Sequence, residues 1–253
     1  MSGELAQLLA EGESVPIEGW DFSWFEGRAT EERPPCGYSR LMAGRMATAA
    51  AALDVQTGGG EVLAEIPRRP ALLAATESWA PNLRLARRRL EPLGAAVVQS
   101  ADDAGLPFRS ACFDLVVSRH PTVTVWAEIA RVLRPGGHYL SQQVGAGSVR
   151  ELTVAMMGPY PVNDARSPAR ALAAATAAGL AVCDLREATL RMTFDDVGAV
   201  VYFLRKVPWI VPGFTVERYR DELTSLHDRI QRKGPFVASA ERFLIEAEKP
   251  SRP

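Results

Sequence analysis

Short apolar runs alternate with helical segments from residue 50 onward, and this alternation constrains the fold more than any other feature of the sequence. Between the runs, residues 82–93 and 122–133 carry apolar side chains at helical spacing. Strands and helices in alternation predict right-handed crossovers and a parallel sheet covered by helices on both faces, which is an α/β fold. The runs of strand length are residues 51–55, 71–76, 95–99, 113–118 and 139–144.

Beyond residue 145 the pattern changes to longer elements. Residues 149–157 and 165–178 have helical spacing, and residues 180–194 and 237–247 are two long strand candidates. These assignments place a segment of unusual length, 195–235, between the last two strands.

The 195–235 segment is far longer than a hairpin loop. Its residue pattern predicts one helix over 195–206 and a second helix over 215–230, with Thr215 as the N-terminal cap of the second helix. We expect the segment to be a substrate lid or an oligomer contact. The predicted domains are therefore a helical and aromatic N-terminal cap (1–44), a core (45–194 plus 236–250) and this helical insertion (195–235).

A glycine-rich turn follows the first predicted strand, where residues 53–61 read LDVQTGGGE. Glycines allow a ligand to approach the backbone, and the helix that starts at Glu61 offers free N–H donors. A dinucleotide fingerprint needs a glycine at its sixth position, where counting from Gly58 gives Leu63. The turn therefore predicts a cofactor site, while an NAD site is disfavoured.

Polar residues stand at the ends of the next strands too. Glu77 follows the second strand, Asp102 and Asp103 follow the third, and a Ser-Arg-His-Pro segment follows the fourth. Each has an ordinary structural interpretation, as a helix-start carboxylate, a cap or a turn. Because ligands of open α/β sheets bind beyond the carboxyl ends of the strands, their order together favours a binding cleft.

This set of segments resembles the class I S-adenosylmethionine-dependent methyltransferases, specifically a methyltransferase type 11-like domain, over about residues 45–145. The resemblance is carried by the glycine turn, Glu77, Asp102 with Leu-Pro-Phe, Phe-Asp-Leu-Val-Val-Ser and Arg-Val-Leu-Arg-Pro-Gly-Gly. It implies a Rossmann-like seven-stranded sheet, with five parallel strands and an antiparallel sixth and seventh, and S-adenosyl-L-methionine as the cofactor.

The resemblance also implies roles for individual residues. The turn from Asp54 to Gly60 would surround the methionine part, Glu77 would hold the ribose, and Asp102 would accept from the adenine amino group. One residue departs from the family pattern, because Gln56 stands where a glycine is usual. The expected cofactor-binding residues are Asp54, Gln56, Gly58, Gly60, Glu77, Asp102, Asp103 and Ser118.

Methyl transfer from a sulfonium is an in-line displacement, so it requires few dedicated catalytic side chains. A hydroxyl acceptor would need a base, for which His120 is the best-placed titratable residue, with Arg119 as an anchor for an anionic substrate. The alternative is that His120 stabilises a turn and Arg119 pairs with a surface acid.

Aromatic residues outside the sheet are candidates for the substrate pocket. They are dense in residues 15–40 and recur in the insertion, where rings can line a cleft. The alternative is that most of them anchor the N-terminal arm to the body. The substrate-pocket candidates are Trp20, Trp24, Arg119, Tyr160, Tyr202 and Trp209.

Composition narrows the partners and the compartment. A net charge of −1 gives no footprint for nucleic acid, and the arginines of residues 84–89 are expected to form the solvated face of a helix. Three separated cysteines lack a metal-ligand motif, so we expect reduced, buried thiols and no metal site. A start without basic residues, and the absence of an apolar run of roughly 20 residues, predict a cytoplasmic protein with no membrane partner.

The function predicted from these features is methyl transfer from S-adenosylmethionine to an oxygen or nitrogen of a small-molecule acceptor, an EC 2.1.1 activity. One alternative is an RNA-base methyltransferase, which would need a basic rim. The other is a protein of the same fold that binds the cofactor without transferring a methyl group, as the glutamine in the glycine turn would suggest.

Overall fold

The computed structural model describes residues 3–251, which divide into two compact units. The sheet unit comprises residues 34–145, 164–188 and those from 242 onward, and the helical unit comprises residues up to 33, 146–163 and 189–241. The division into cap, core and insertion stays a prediction, and the two units group the chain differently, since residues 34–44 belong to the sheet unit.

Within residues 3–251 the chain forms eight strands and nine α-helices. The strands are β1 (Ala29–Glu31), β2 (Ala51–Asp54), β3 (Leu72–Glu77), β4 (Ala95–Gln99), β5 (Phe113–Arg119), β6 (Leu133–Val144), β7 (Ala181–Phe194) and β8 (Phe236–Glu248). The helices are α1 (Gly3–Ser14), α2 (Tyr38–Met46), α3 (Glu61–Ala64), α4 (Ala80–Leu90), α5 (Trp126–Val132), α6 (Arg150–Met157), α7 (Pro168–Ala177), α8 (Val197–Lys206) and α9 (Arg220–Lys233).

The sheet unit contains the predicted parallel sheet. Its strands lie in the order β7-β8-β6-β5-β2-β3-β4, and each neighbouring pair from β6 to β4 is parallel. Strand β8 runs antiparallel to β6, with Ala247 opposite Tyr139. The predicted α/β class, with five parallel strands and a final antiparallel strand, is confirmed.

The sheet forms because both of its faces are apolar. In β2 all four side chains are buried, with Ala52 on one face and Leu53 on the other. The first face packs against the helices α2, α3 and α4, and the second against α5 and α7. Strands buried on both sides read as continuous apolar runs, which explains why the sequence located them.

The junction between α5 and β6 corrects one prediction. The sequence predicted a helix over 122–133, but α5 covers only Trp126–Val132, and β6 begins at Leu133. Gly136 has a φ of 77°, and a Cβ on Gly137 would lie 2.9 Å from the Arg134 carbonyl oxygen. The two glycines therefore allow a tight, irregular stretch of backbone inside β6.

The helical unit contains a short strand that the sequence analysis missed. Strand β1 pairs antiparallel with the end of β7, where Ala29 lies opposite Phe194. The described sheet therefore has eight strands rather than the predicted seven. The sequence did not predict β1 because three residues are too few to show a strand periodicity.

Close helix contact also organises the helical unit. Helices α1 and α8 meet at two glycines, since a Cβ on Gly12 would lie 2.5 Å from the Gly198 carbonyl oxygen.

The second predicted insertion helix begins later than expected, at Arg220. Thr215 does not cap this helix; its hydroxyl closes a local turn by accepting from the Arg218 N–H at 3.1 Å. Across residues 3–251, no helix is both long and apolar enough to cross a membrane.

Candidate functional site

The glycine turn after β2 is tied to the end of β3. The Thr57 hydroxyl donates to Asp54 Oδ2 at 2.7 Å, and the Gly58 N–H donates to Glu77 Oε2 at 2.8 Å. Gly60 has a φ of 78°, and a Cβ there would lie 2.8 Å from the Leu90 side chain. Asp54, Gly58, Gly60 and Glu77 are therefore brought together as predicted, and the last glycine is required by the packing of α4.

Burial controls the two carboxylates of this turn. Desolvation raises the pKa of Asp54 to about 7, opposed by the Thr57 hydrogen bond and reinforced by the Glu77 charge. Burial also raises the pKa of Glu77, against the N–H groups of Trp79 and Gly58 that stabilise its charge. Asp54 consequently titrates near neutral pH.

One arginine of helix α4 clamps the glycine turn from outside. The Arg89 guanidinium donates to the Gly59 carbonyl oxygen and lies 3.0 Å from Glu61 Oε1. All four arginines of this helix, Arg84, Arg87, Arg88 and Arg89, are exposed as predicted, and Arg89 in addition contacts the glycine turn.

Gln56 connects the glycine turn to the segment after β5. Its φ of 59° is left-handed, a conformation that favours glycine. Its Oε1 accepts from the Thr122 N–H at 2.6 Å and from the Thr122 hydroxyl at 3.1 Å, and its Nε2 donates to the Val123 carbonyl oxygen at 2.7 Å. The side chain thus fastens residues 121–125, here named the strap, over the strand ends.

The strap also reaches the predicted adenine-binding acid. The Thr122 hydroxyl donates to Asp102 Oδ2 at 2.6 Å, whereas Asp103 is exposed. The cavity enclosed between Gln56, Asp102 and the strap measures about 10 Å³, room for about one water molecule. A nucleoside fits into this cavity only if the strap moves.

Ser118 occupies a buried polar cluster beneath this cavity. Its Oγ shares hydrogen bonds with the Tyr139 hydroxyl at 2.7 Å and with Ser141 Oγ at 2.9 Å. The residue lines the cavity, as expected of a cofactor-binding position, but its hydroxyl already has two partners within the protein.

His120 lies at the end of β5 in a strained and cationic setting. Its φ is 54°, its N–H donates to the Gln142 carbonyl oxygen at 2.7 Å, and the Gln142 side-chain nitrogen lies 2.8 Å from its Nε2. Burial, followed by the charges of Arg119 and Arg242, holds the pKa of the imidazole well below its usual range. The ring is neutral at physiological pH and a weaker base than the sequence suggested.

Tyr38, at the start of α2, was missed by the sequence analysis because a lone tyrosine carries no motif. Its side chain is buried, and its hydroxyl has no hydrogen-bond partner among residues 3–251. Burial and the nearby charge of Asp54 raise the pKa of the hydroxyl, while Arg119 acts in the opposite direction. A buried hydroxyl without a partner, beside the strand-end carboxylates, fits a site completed by a polar ligand.

The substrate-pocket candidates fall in both units. Within the helical unit, the Trp20 and Trp209 rings lie 6.1 Å apart, and Trp24 meets Tyr202 at 5.2 Å, edge to face. The Tyr160 side chain is exposed in a loop of that unit. Arg119, in the sheet unit, is exposed as well. Their role in acceptor binding stays a prediction.

The cysteines are less buried than predicted, and one joins a polar cluster. Cys36 and Cys112 are half-buried, and Cys183 is exposed. Ligand atoms of His138, Cys183 and Glu246 lie within 4.8 Å of one another. However, the Arg45 guanidinium lies 2.8 Å from Glu246 Oε1, so the carboxylate already has a cationic partner.

Comparison with known proteins identifies the sheet unit's central segment. Residues 53–141 match the family model described as a methyltransferase domain, and they contain the end of β2, all of β3 to β5, the glycine turn and the carboxylates Asp54, Glu77 and Asp102. This segment is similar to the methyltransferase-domain family, and its sheet has the Rossmann-like fold of class I methyltransferases.

A curated relative of this chain is the malonyl-[acyl-carrier protein] O-methyltransferase of Marinomonas sp. (strain MWYL1). The two are 26% identical over 171 residues, which cover 61% of this chain and 62% of the relative. Less than two thirds of the relative is therefore matched.

Solved structures share the fold of this chain. A candidate methyltransferase from Bacillus halodurans C-125 has a TM-score of 0.61 at 20% identity, over 85% of this chain and all of its own length. A geranyl diphosphate methyltransferase, solved with its substrate and sinefungin, has a TM-score of 0.51 at 15% identity, over 83% of this chain and 76% of that one. The same enzyme has also been solved with S-adenosylmethionine.

Proposed function

We propose that the protein transfers a methyl group from S-adenosylmethionine to an oxygen or nitrogen atom of a small-molecule acceptor. One observation carries the proposal. Asp54 and Glu77 end β2 and β3, and Asp102 follows β4, at one edge of the sheet beside a glycine turn whose Gly58 N–H donates to Glu77.

The residues at this edge fit the cofactor chemically. Glu77 would accept from the ribose hydroxyls, Asp102 from the adenine amino group, and the turn from Asp54 to Gly60 would lie against the methionine part. The unpartnered Tyr38 hydroxyl is a further donor in the same region. When bound, S-adenosylmethionine supplies an electrophilic methyl group on a positively charged sulfur.

The protein's contribution is then positioning and exclusion of water. Apolar side chains of the strap and of α5, among them Val125 and Ile129, close the region around Asp102. Gln56 and Thr122 control whether that region opens. His120 orients the end of β6 through Gln142.

An oxygen acceptor is supported by the curated relative, which is named an O-methyltransferase. A nucleic-acid acceptor is disfavoured by the net charge of −1. The insertion, which forms α8 and α9, remains our candidate for a substrate lid or an oligomer contact.

A transfer assay tests the proposal. The purified protein is incubated with methyl-labelled S-adenosylmethionine and a small-molecule cell extract, and label in new small molecules is measured. We expect transfer by the wild type, strong loss in Glu77→Ala, and normal transfer in Arg88→Ala, which alters only an exposed side chain of α4. No labelled product from the wild type, or full activity in Glu77→Ala, would contradict the assignment.

A further inference from the structure

Three side chains with metal-binding atoms converge on neighbouring strands of the sheet unit. His138 lies on β6, Glu246 on β8 and Cys183 on β7, and these strands lie in the order β7-β8-β6. Their ligand atoms lie within 4.8 Å of one another. Because strands hold their side chains on a rigid backbone, the fold brings together a nitrogen, a sulfur and a carboxylate oxygen. No sequence spacing indicates this group, since its members come from three separate strands.

The distances within the group fit a tetrahedral ion. His138 Nδ1 lies 3.2 Å from Glu246 Oε1. Two ligand atoms that lie about 2.0 Å from a zinc ion, at a tetrahedral angle, are about 3.3 Å apart. Sulfur lies about 2.3 Å from zinc and would be about 3.6 Å from the other two ligand atoms, so the Cys183 thiol has to move by only about 1 Å. Cys183 is exposed, which leaves room for this movement.

The buried ring nitrogen of His138 supports a ligand at this position. Nδ1 has no hydrogen-bond partner within the part of the chain that the structure describes, although Glu246 Oε1 is close to it. Most buried polar atoms of side chains have such a partner, so one without it requires an explanation. The lone pair of a neutral imidazole is available to a metal ion, and the buried carboxylate of Glu246 would supply the negative charge beside it.

Arg45 is already close to the carboxylate, with its guanidinium 2.8 Å from Glu246 Oε1. The Arg45 side chain is half-exposed, and a carboxylate offers two oxygens, so Arg45 can bond to Oε2 while Oε1 binds an ion. Partners of this kind orient the ligands of metal sites through hydrogen bonds. The guanidinium also explains how the buried carboxylate is stable without an ion.

We propose that His138, Cys183 and Glu246 bind a divalent metal ion of the zinc class, with water as the fourth ligand. Nitrogen, thiolate and carboxylate are the three ligand types that zinc takes in proteins. Cys183 binds as a thiolate, and its proton passes to the solvent.

The ion would lie away from the cofactor site. His138 is opposite Leu115 in the parallel pair of β5 and β6, whereas Gln142, four residues further along β6, is opposite the end of β5. At about 3.3 Å per residue, the two positions are about 13 Å apart. The expected role of the ion is therefore to hold β6, β7 and β8 together, and it takes no part in methyl transfer.

Cobalt absorption tests the site directly, because Co²⁺ accepts the ligands of zinc and its bond to a thiolate gives a charge-transfer band in the near ultraviolet. Untagged, freshly reduced protein is freed of metal with a chelator and titrated first with Co²⁺ and then with Zn²⁺. We expect one Co²⁺ per chain, a thiolate band, and loss of that band when Zn²⁺ displaces the cobalt.

Single variants identify the ligands. Cys183→Ser should abolish the thiolate band and weaken cobalt binding at least about a hundredfold, because loss of an outer partner alone costs about tenfold to a hundredfold. His138→Gln should weaken binding by a similar factor. Cys112→Ser is the matched control, since this half-buried thiol lies outside the group, and it should keep both the band and the affinity.

Two results would overturn the proposal. One is a wild type without a thiolate band at millimolar Co²⁺. The other is an unchanged band in a Cys183→Ser variant whose circular dichroism matches the wild type. Thermal unfolding gives an independent readout: Zn²⁺ should raise the midpoint of the wild type and leave that of Cys183→Ser unchanged, and an equal rise in both proteins would show that the ion binds elsewhere.

Discussion

Replacing Gln56 with glycine should weaken the fold and tighten cofactor binding at the same time. The side-chain amide makes three hydrogen bonds to the strap, two to Thr122 and one to the Val123 carbonyl oxygen. The cavity that they close is about 10 Å³, so a nucleoside at Asp102 requires these bonds to break.

The magnitude follows from the three bonds. Each contributes about 0.5–1.5 kcal/mol net, and since they share one side chain, we take about 2 kcal/mol for the set. Glycine relieves the left-handed φ by about 1 kcal/mol, but its greater freedom in the unfolded chain offsets a similar amount. The free energy of unfolding should therefore fall by about 2 kcal/mol, and the dissociation constant for S-adenosylmethionine should fall by roughly tenfold to thirtyfold.

Two measurements check this prediction on the same preparations. Urea unfolding gives the stability change, and calorimetric titration with S-adenosylmethionine gives the affinity change. Thr122→Val, which removes the hydroxyl contacts to Gln56 and Asp102, should shift both quantities in the same directions. Gln99→Ala, at the exposed end of β4, is the matched control and should leave the affinity unchanged.

The reasoning is refuted if Gln56→Gly binds the cofactor no more tightly than the wild type. A weaker affinity would show that Gln56 contacts the cofactor directly, and an unchanged stability would show that the strap bonds contribute nothing in solution.

Three further predictions follow from single side chains. The pKa of Asp54 is about 7 in the fold, against an ordinary value of 3.8, so between these pH values the folded state retains a proton that the unfolded state has released. The free energy of unfolding should therefore fall by up to about 4 kcal/mol as the pH rises from 3.8 to about 7. Urea unfolding of Asp54→Asn should not show this pH dependence. Gly60→Ala should lower the free energy of unfolding by about 2–4 kcal/mol, since its Cβ would lie 2.8 Å from Leu90 at a left-handed φ, and a loss below about 1 kcal/mol in the same urea assay would contradict the packing argument. His120→Asn should keep the methyl-transfer rate within about tenfold of the wild type, because the imidazole is not used as a base. A loss of about a hundredfold or more in the label-transfer assay is what removal of a general base produces, and it would show that His120 is the base.

The sequence alone predicted the strands of the parallel sheet and the carboxylates at the ends of these strands. The parallel strands are buried on both faces, so each reads as an apolar run, and the order of Asp54, Glu77 and Asp102 follows from strand order alone. The same logic located the glycine turn, whose last glycine the structure shows to be required by Leu90.

Features that depend on contacts between distant residues could not be predicted. The strap exists because Gln56 and Asp102 both bond to Thr122, and no spacing rule links those positions. The lowered pKa of His120 comes chiefly from burial, with further contributions from the charges of Arg119 and Arg242, and neither burial nor the approach of Arg242 in the last strand can be read from the sequence. Tyr38 is a candidate ligand-binding residue only because its buried hydroxyl has no hydrogen-bond partner within residues 3–251, which the sequence does not show.

Calorimetric titration of the wild type and of Glu77→Gln with S-adenosylmethionine tests the central claim most directly. We predict one ligand per chain for the wild type, and an affinity about tenfold to a hundredfold lower in the variant, whose neutral amide replaces a charged acceptor. No measurable binding by the wild type at millimolar ligand, or equal affinity of the two proteins with the fold intact, would contradict a cofactor site at this edge of the sheet.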